Sequence, residues 1–133
     1  MIIYRLESED GGGPYNGPKA DRDLSYAIFS SNVFHQPPPW EDIKDWSPSG
    51  NKSWRYGFSS VELLKRWFEP IFYKALDRAG FLVAIYDVPD EATKCGRWQC
   101  AFKFESAKRL KRFPLAELEN KLSTLVDNGK VQV

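Results

Sequence analysis

The run Phe81-Leu82-Val83-Ala84-Ile85-Tyr86-Asp87-Val88, closed by Pro89, constrains this chain more than any other stretch. It is almost unbroken apolar until the proline, the pattern of a central strand buried on both faces. Such a strand needs neighbours along its edges and cover over its faces. The rest of the chain is read for what can supply them.

Strand formers occupy residues 2–6, residues 54–58 form a second short extended run, and residues 98–104 alternate in their second half. Helical patterns fall near 22–31, 60–79 and 114–126. In the first, Asp21 or Asp23 is a candidate cap, and Leu24, Ala27 and Ile28 share one face. The second opens on Ser59 with Glu62 three residues on, the spacing of a capping box, and Val61, Leu64, Trp67 and Phe68 form its apolar stripe. Pro70 either ends that helix or starts another from its first position, and Gly80 is a natural stop. Pro114 with Leu115, Leu118, Leu122 and Leu125 marks the third. The expected fold class is α+β, a mixed or mainly antiparallel sheet of about four or more strands with about two to four helices.

At 133 residues, 42% apolar and 15% aromatic, the chain can fill one core but not two, so residues 1–133 are expected to form one globular domain. Lys and Arg number 19 against 18 Asp and Glu, a formal charge of +1, which excludes a global pull toward nucleic acid or membrane and leaves only local patches. No run reaches the roughly 18 apolar residues of a membrane span, and the opening Met-Ile-Ile-Tyr-Arg-Leu is too short for a signal-peptide core. The cytosol is the expected compartment. Cys95 and Cys100 are too few and too close for a secreted disulfide scaffold, so reduced thiols are expected. His35, the one histidine, has no ligand-type partner nearby in sequence, so no metal site is expected.

Three segments break regular structure. Residues 9–18 contain three consecutive glycines and two prolines but neither the spaced glycines of a dinucleotide fingerprint nor the Gly-Lys-Ser or Gly-Lys-Thr of a P-loop, so they read as a simple loop. Residues 35–52 form a long loop carrying Pro37-Pro38-Pro39-Trp40 and Trp46, and long loops in small domains are often functional or mobile. Residues 90–96 read as a turn.

Arg5 lies in a strand expected to be mostly buried, where an unpaired guanidinium is very costly. It must meet a salt-bridge partner, Glu7, Glu9 or a neighbouring strand, or else a bound phosphate or carboxylate suited to its planar fork. Arg55-Tyr56-Gly57-Phe58-Ser59-Ser60 places an aromatic ring and two hydroxyls at a strand-to-helix junction, where an anion or ribose can be held or Ser59 can simply cap the helix.

Tyr4-Arg5 on a first strand, Phe58-Ser59-Ser60 leading into a helix, and a polar residue on a late strand together resemble the arginine, serine and glutamate plan of the ADP-ribosyltransferase fold. The resemblance implies NAD or a related nucleotide as ligand, with Arg5 on its phosphate and ribose. Ser59, followed by Ser60, would support the nicotinamide ribose. Tyr15 or Tyr56 would stack on nicotinamide. The catalytic position falls on Gln99, where the family presents glutamate. Glutamine can hydrogen-bond a ribose hydroxyl but cannot stabilise a developing positive charge as a carboxylate does. Either another acid such as Glu91 or Glu105 serves, or the protein binds without catalysing. Tyr4-Arg5, Gly13-Pro14-Tyr15, Phe58-Ser59-Ser60 and Val88-Pro89 also resemble the layout of small uncharacterised proteins of bacteria and bacteriophages.

Two further features bear on partners. Four cations in five residues, Lys108, Arg109, Lys111 and Arg112, lie near Phe102, Phe104 and Phe113 and can serve as a phosphate-backbone patch or as a solvated basic face. Trp40 and Trp46 fall in polar loops, where they either anchor the proline-rich segment or face a partner. The two functional expectations are thus an NAD-binding, ADP-ribosyltransferase-like protein and a non-catalytic interaction protein, such as a small phage-type inhibitor that docks on a host protein through its Trp- and Pro-rich loop.

Overall fold

A computed structural model describes residues 1–13, 24, 37–44, 46 and 53–118. In chain order the elements are β1 (Ile2–Ser8), α1 (Pro39–Asp42), β2 (Trp54–Gly57), α2 (Val61–Trp67), α3 (Tyr73–Arg78), β3 (Phe81–Asp87), β4 (Thr93–Cys95), β5 (Cys100–Lys103) and β6 (Lys108–Pro114). The fold is α+β, with two antiparallel three-stranded sheets ordered β1-β3-β6 and β2-β5-β4.

β3 occupies the central position expected of residues 81–88. Its inner residues are buried whichever way they point, because each face has its own cover. On one face Val83 and Ile85 join Tyr4, Leu6 and Phe113 beneath Val61, Leu64 and Trp67 of α2 and Tyr73 and Leu76 of α3. On the other, Ala84, Tyr86 and Val88 join Ile3 and meet Cys100 and Phe102 of β5. Each fully buried large apolar side chain here contributes about 1.5–3 kcal/mol, so this two-sided core dominates the stability of the chain.

The two sheets meet where β1 passes the end of β2. Tyr4 and Phe58 exchange backbone hydrogen bonds of 2.8 and 2.7 Å, an isolated antiparallel bridge. Gly57 makes this approach possible, since a Cβ there would stand 2.5 Å from Ile3 Cγ2 and 2.9 Å from the Tyr4 carbonyl oxygen.

Several boundaries differ from expectation. Ser60, not Ser59, caps α2, its Oγ accepting from the Leu63 amide at 3.2 Å. Phe58 is held in the bridge to Tyr4, so the extended path continues through Ser59 and the helix begins one residue later. The helical stretch near 60–79 is divided at Pro70, which opens a 3₁₀ turn over Pro70–Phe72 before α3, and Gly80 follows that helix with φ +94°. The turn expected at residues 90–96 is a 3₁₀ turn, Asp90–Ala92, followed by strand β4. Within the expected long loop, Pro39–Asp42 forms one helical turn. The basic run forms strand β6, because β3 needs a second neighbour; Phe113 pairs opposite Val83, Lys108 and Arg109 are exposed, and Arg112 turns inward to Glu7. Expected helix 22–31, apart from Leu24, and expected helix 114–126 beyond Leu118 lie outside the described residues; Leu115–Glu117 form a 3₁₀ turn.

The expectation of reduced thiols is overturned. Cys95 and Cys100 face each other across the β4–β5 pair and form a disulfide. Five residues of separation look too close in sequence, but a hairpin turning through Gly96-Arg97-Trp98-Gln99 brings the two Cα atoms to 4.0 Å.

Candidate functional site

Two clusters of polar residues stand out. The first is built on β1, whose alternation puts Arg5 and Glu7 on the face turned toward β5. Glu7 is completely buried and Arg5 is 5% exposed. The Arg5 guanidinium donates to Glu7 Oε1 at 3.2 Å, to the Tyr56 carbonyl at 2.6 Å and to the Gly11 carbonyl at 3.0 Å. Three of its five N–H donors are therefore already engaged within the chain. Burial lowers the pKa of Arg5, and the Arg55 charge acts in the same direction, while the Glu7 carboxylate opposes both.

Glu7 gathers the rest of the cluster. The Tyr86 hydroxyl donates to both of its oxygens, at 2.7 and 2.8 Å, and Arg112 of β6 forms an ion pair with Oε2. Arg112 also donates to the carbonyls of Glu9 at 3.2 Å and Ser8 at 3.3 Å. Burial, then the hydrogen bond to Glu7, pushes the Tyr86 hydroxyl up to about 12. Chemically the cluster is a carboxylate held between two guanidinium groups and a phenol, with the start of the glycine-rich loop folded back to offer its carbonyls. Toward the guanidinium groups this start of the loop presents carbonyl acceptors, Gly11 to Arg5 and Glu9 to Arg112, whereas a phosphate cradle presents backbone amides.

The second cluster is built where α1 lies on the β4–β5 hairpin. The Asp42 carboxylate accepts from three successive backbone amides, Arg97 at 2.7 Å, Trp98 at 3.1 and 3.2 Å, and Gln99 at 2.8 Å. The Gln99 side-chain amide donates to the Pro37 carbonyl at 2.7 Å. Gly96 passes so close to Asp42 that a Cβ would overlap its backbone carbonyl. Trp98 carries Arg97 over its ring at 5.1 Å and Arg66 of α2 at 5.4 Å. The segment 37–42 is thus tied to the hairpin at both of its ends, and the disulfide closes the hairpin beside its turn. On this clamped turn Trp40 is 58% exposed, while Trp46 is buried at 5%, edge-on to Trp54 and donating to the Tyr56 hydroxyl.

The sequence-derived candidates fall into different places. Arg5 and the Tyr56 carbonyl belong to the first cluster, while the Tyr56 side chain lies on the opposite face of β2 with Trp46 and Ala101. Gln99 belongs to the second cluster. Ser59 is exposed and Ser60 is the helix cap. Tyr15 lies outside the described residues. Of the alternative acids, Glu91 and Glu105 are exposed. Among the described residues, no group of three or more His, Cys, Asp or Glu side chains is placed to hold a metal ion, and no helix is long and apolar enough to cross a membrane.

Sequence reasoning missed Asp42, Tyr86 and Arg112. Arg112 was visible only as one of a run of cations, and Tyr86 only as one apolar position of a strand. For Asp42 the cue was weak, an acid one turn after a proline run.

A family profile described as Bacteriophage T4 Y00F protein matches residues 1–116, and no curated protein and no solved structure matches. The match supports the resemblance to small bacteriophage proteins and adds nothing to the likeness to ADP-ribosyltransferases. With the greater part of its length matched, this chain belongs to the bacteriophage T4 Y00F protein family.

Proposed function

We propose that the protein is a non-catalytic, phage-type binding protein that docks on a host protein through the turn at residues 37–42. The observation that carries this reading is Trp40, 58% exposed on a turn fastened at both ends to a disulfide-closed hairpin. Large aromatic side chains dominate binding energy at protein interfaces. An anchor already ordered in the free protein spares the conformational entropy that a floppy loop would lose on docking.

The rival reading, NAD or a related nucleotide gripped by Arg5 with Ser59 at the ribose and Gln99 at the catalytic position, asks more of these residues. A phosphate would have to compete with Glu7, Tyr56 and Gly11 for a guanidinium that is almost fully buried. Gln99 already donates its amide to Pro37.

The test uses wild-type protein and Trp40→Ala as baits in a bacterial host lysate, followed by titration of each bait with the purified captured protein. The expected result is a loss of affinity of about thirtyfold, the equivalent of a 2 kcal/mol anchor, with the melting temperature unchanged. Equal affinity of the two baits would remove Trp40 as the anchor. Calorimetric titration of NAD into wild type and Arg5→Ala is run beside it. Binding in the wild type that is lost in a folded Arg5→Ala protein would transfer the assignment to the nucleotide reading.

A further inference from the structure

We infer that the outer edge of β6 is a second docking surface, accepting an acidic, extended segment of a partner protein as an added strand. β6 is the terminal strand of its sheet, seven residues long from Lys108 to Pro114, and pairs on its inner side with β3. Among the described residues, the backbone of Lys108 to Arg112 makes no hydrogen bond on its outer side. A terminal strand of that length presents a row of backbone donors and acceptors that a second extended chain can satisfy.

The side chains specify what that second chain must be. Lys111 lies opposite Ile85, and Arg109 and Arg112 lie opposite Tyr86 and Ala84, so cations stand on both faces of the strand. Arg112 is committed to Glu7, but Lys108, Arg109 and Lys111 form no ion pair among the described residues. Lys108 and Arg109 are exposed. An incoming strand with alternating carboxylates would gain backbone hydrogen bonds and meet cations along its length.

The same charges argue against two other occupants. A second copy of this chain would set β6 against β6 and bring like charges face to face, which destabilises cross-strand pairs. Single-stranded nucleic acid needs aromatic faces for its bases. Here Phe102 and Phe113 are buried at 0% and 4%, and Phe104 is half-buried with Arg55 5.3 Å above its ring. The surface is distinct from the turn bearing Trp40 and does not depend on it.

The experiment is fluorescence anisotropy with a labelled alternating Glu-Val peptide of about eight residues, long enough to cover one strand. Its comparators are a Lys-Val peptide, the Glu-Val peptide N-methylated at alternate residues, and a short oligothymidylate. The Glu-Val peptide is expected to bind the wild type, to bind Trp40→Ala equally, and to lose at least about tenfold in affinity toward the triple variant Lys108→Ala, Arg109→Ala, Lys111→Ala. N-methylation is expected to abolish binding, and this arm needs no protein variant. Equal binding of the N-methylated peptide would reduce the surface to plain electrostatics. Tighter binding of the oligothymidylate, or no binding of the Glu-Val peptide to the wild type, would overturn the proposal.

Discussion

The Tyr86 hydroxyl reaches the Glu7 carboxylate along the sheet, donating at 2.7 Å to one oxygen and 2.8 Å to the other, although Glu7 pairs in register with Leu82 and Tyr86 with Ile3. Ala84 separates the two positions, and a methyl side chain leaves room for the phenol to lie across it. This one contact ties β1 to β3 through side chains as well as backbone, and it brings a carboxylate, two guanidinium groups and a phenol into one buried network.

Removing the carboxylate from that network leaves Arg5 and Arg112 facing each other's charge without compensation. Glu7→Ala is expected to destabilise the fold by about 3–5 kcal/mol, measured by urea denaturation. Replacing both partners, as Arg5→Met with Glu7→Leu, is expected to cost less than Glu7→Ala alone, because no buried charge is then left without its opposite. A double variant less stable than the single one would show that the network holds the strands in a way apolar packing cannot.

Tyr86 also sets a pH window. An unfolded tyrosine titrates near pH 10, whereas burial and the Glu7 hydrogen bond raise the folded group to about 12. Between those values the folded chain keeps a proton that the unfolded chain has lost. The stabilisation is therefore complete below about pH 10 and falls as pH rises through about 12. Absorbance of tyrosinate, followed from neutral pH upward, is expected to lose a late-titrating tyrosine in Tyr86→Phe, while Tyr4, also raised by its burial, titrates late in both proteins.

The close passage of β1 and β2 makes Gly57 sensitive to the smallest substitution. Gly57→Ala puts a methyl group against Ile3 and against the Tyr4 carbonyl, which is backbone and cannot rotate away. A loss of about 1–3 kcal/mol is expected from the strain. Thermal melts of Gly57→Ala and of the control Gly80→Ala distinguish crowding from altered backbone freedom, since at Gly80 a Cβ would meet nothing within 4 Å and the penalty comes from its φ of +94° alone.

Asp42 holds the presentation of Trp40. Asp42→Ala removes the acceptor for three backbone amides, and hydrogen exchange at Arg97, Trp98 and Gln99 is expected to accelerate. The cost in stability is expected at about 1.5–3 kcal/mol, the range for hydrogen bonds to a charged group. Asp42→Asn, which keeps an acceptor without the charge, should fall between the two. An unchanged exchange rate in Asp42→Ala would mean that the hairpin is ordered without its clamp.

Reduction of the Cys95–Cys100 disulfide tests the other fastening of the same hairpin. The bond closes a very short loop, so its removal is expected to cost only about 2 kcal/mol in the chain-entropy account. Chemical denaturation with and without a dithiol reductant measures it. A much larger loss would show that the hairpin organises more of the second sheet than its own turn.

The α+β class, the central strand at residues 81–88 and the first strand were legible in the sequence, because these depend on local apolar pattern and on punctuation by Pro89 and Gly80. The buried Arg5 was also readable, since a guanidinium in an apolar strand must have a partner, and Glu7 was among those named. Tertiary structure alone decided that Arg112 and Tyr86 complete that cluster, because they come from strands about 80 and 105 residues away whose pairing no local pattern specifies. It decided that a basic run becomes an edge strand, where pairing with β3 outweighs the low strand preference of lysine. It decided too that Cys95 meets Cys100 and that Asp42 caps the turn between them. Both contacts follow from how the hairpin folds back under α1, and a polar loop carrying Glu41, Asp42 and Asp45 has no periodicity from which such a meeting can be read.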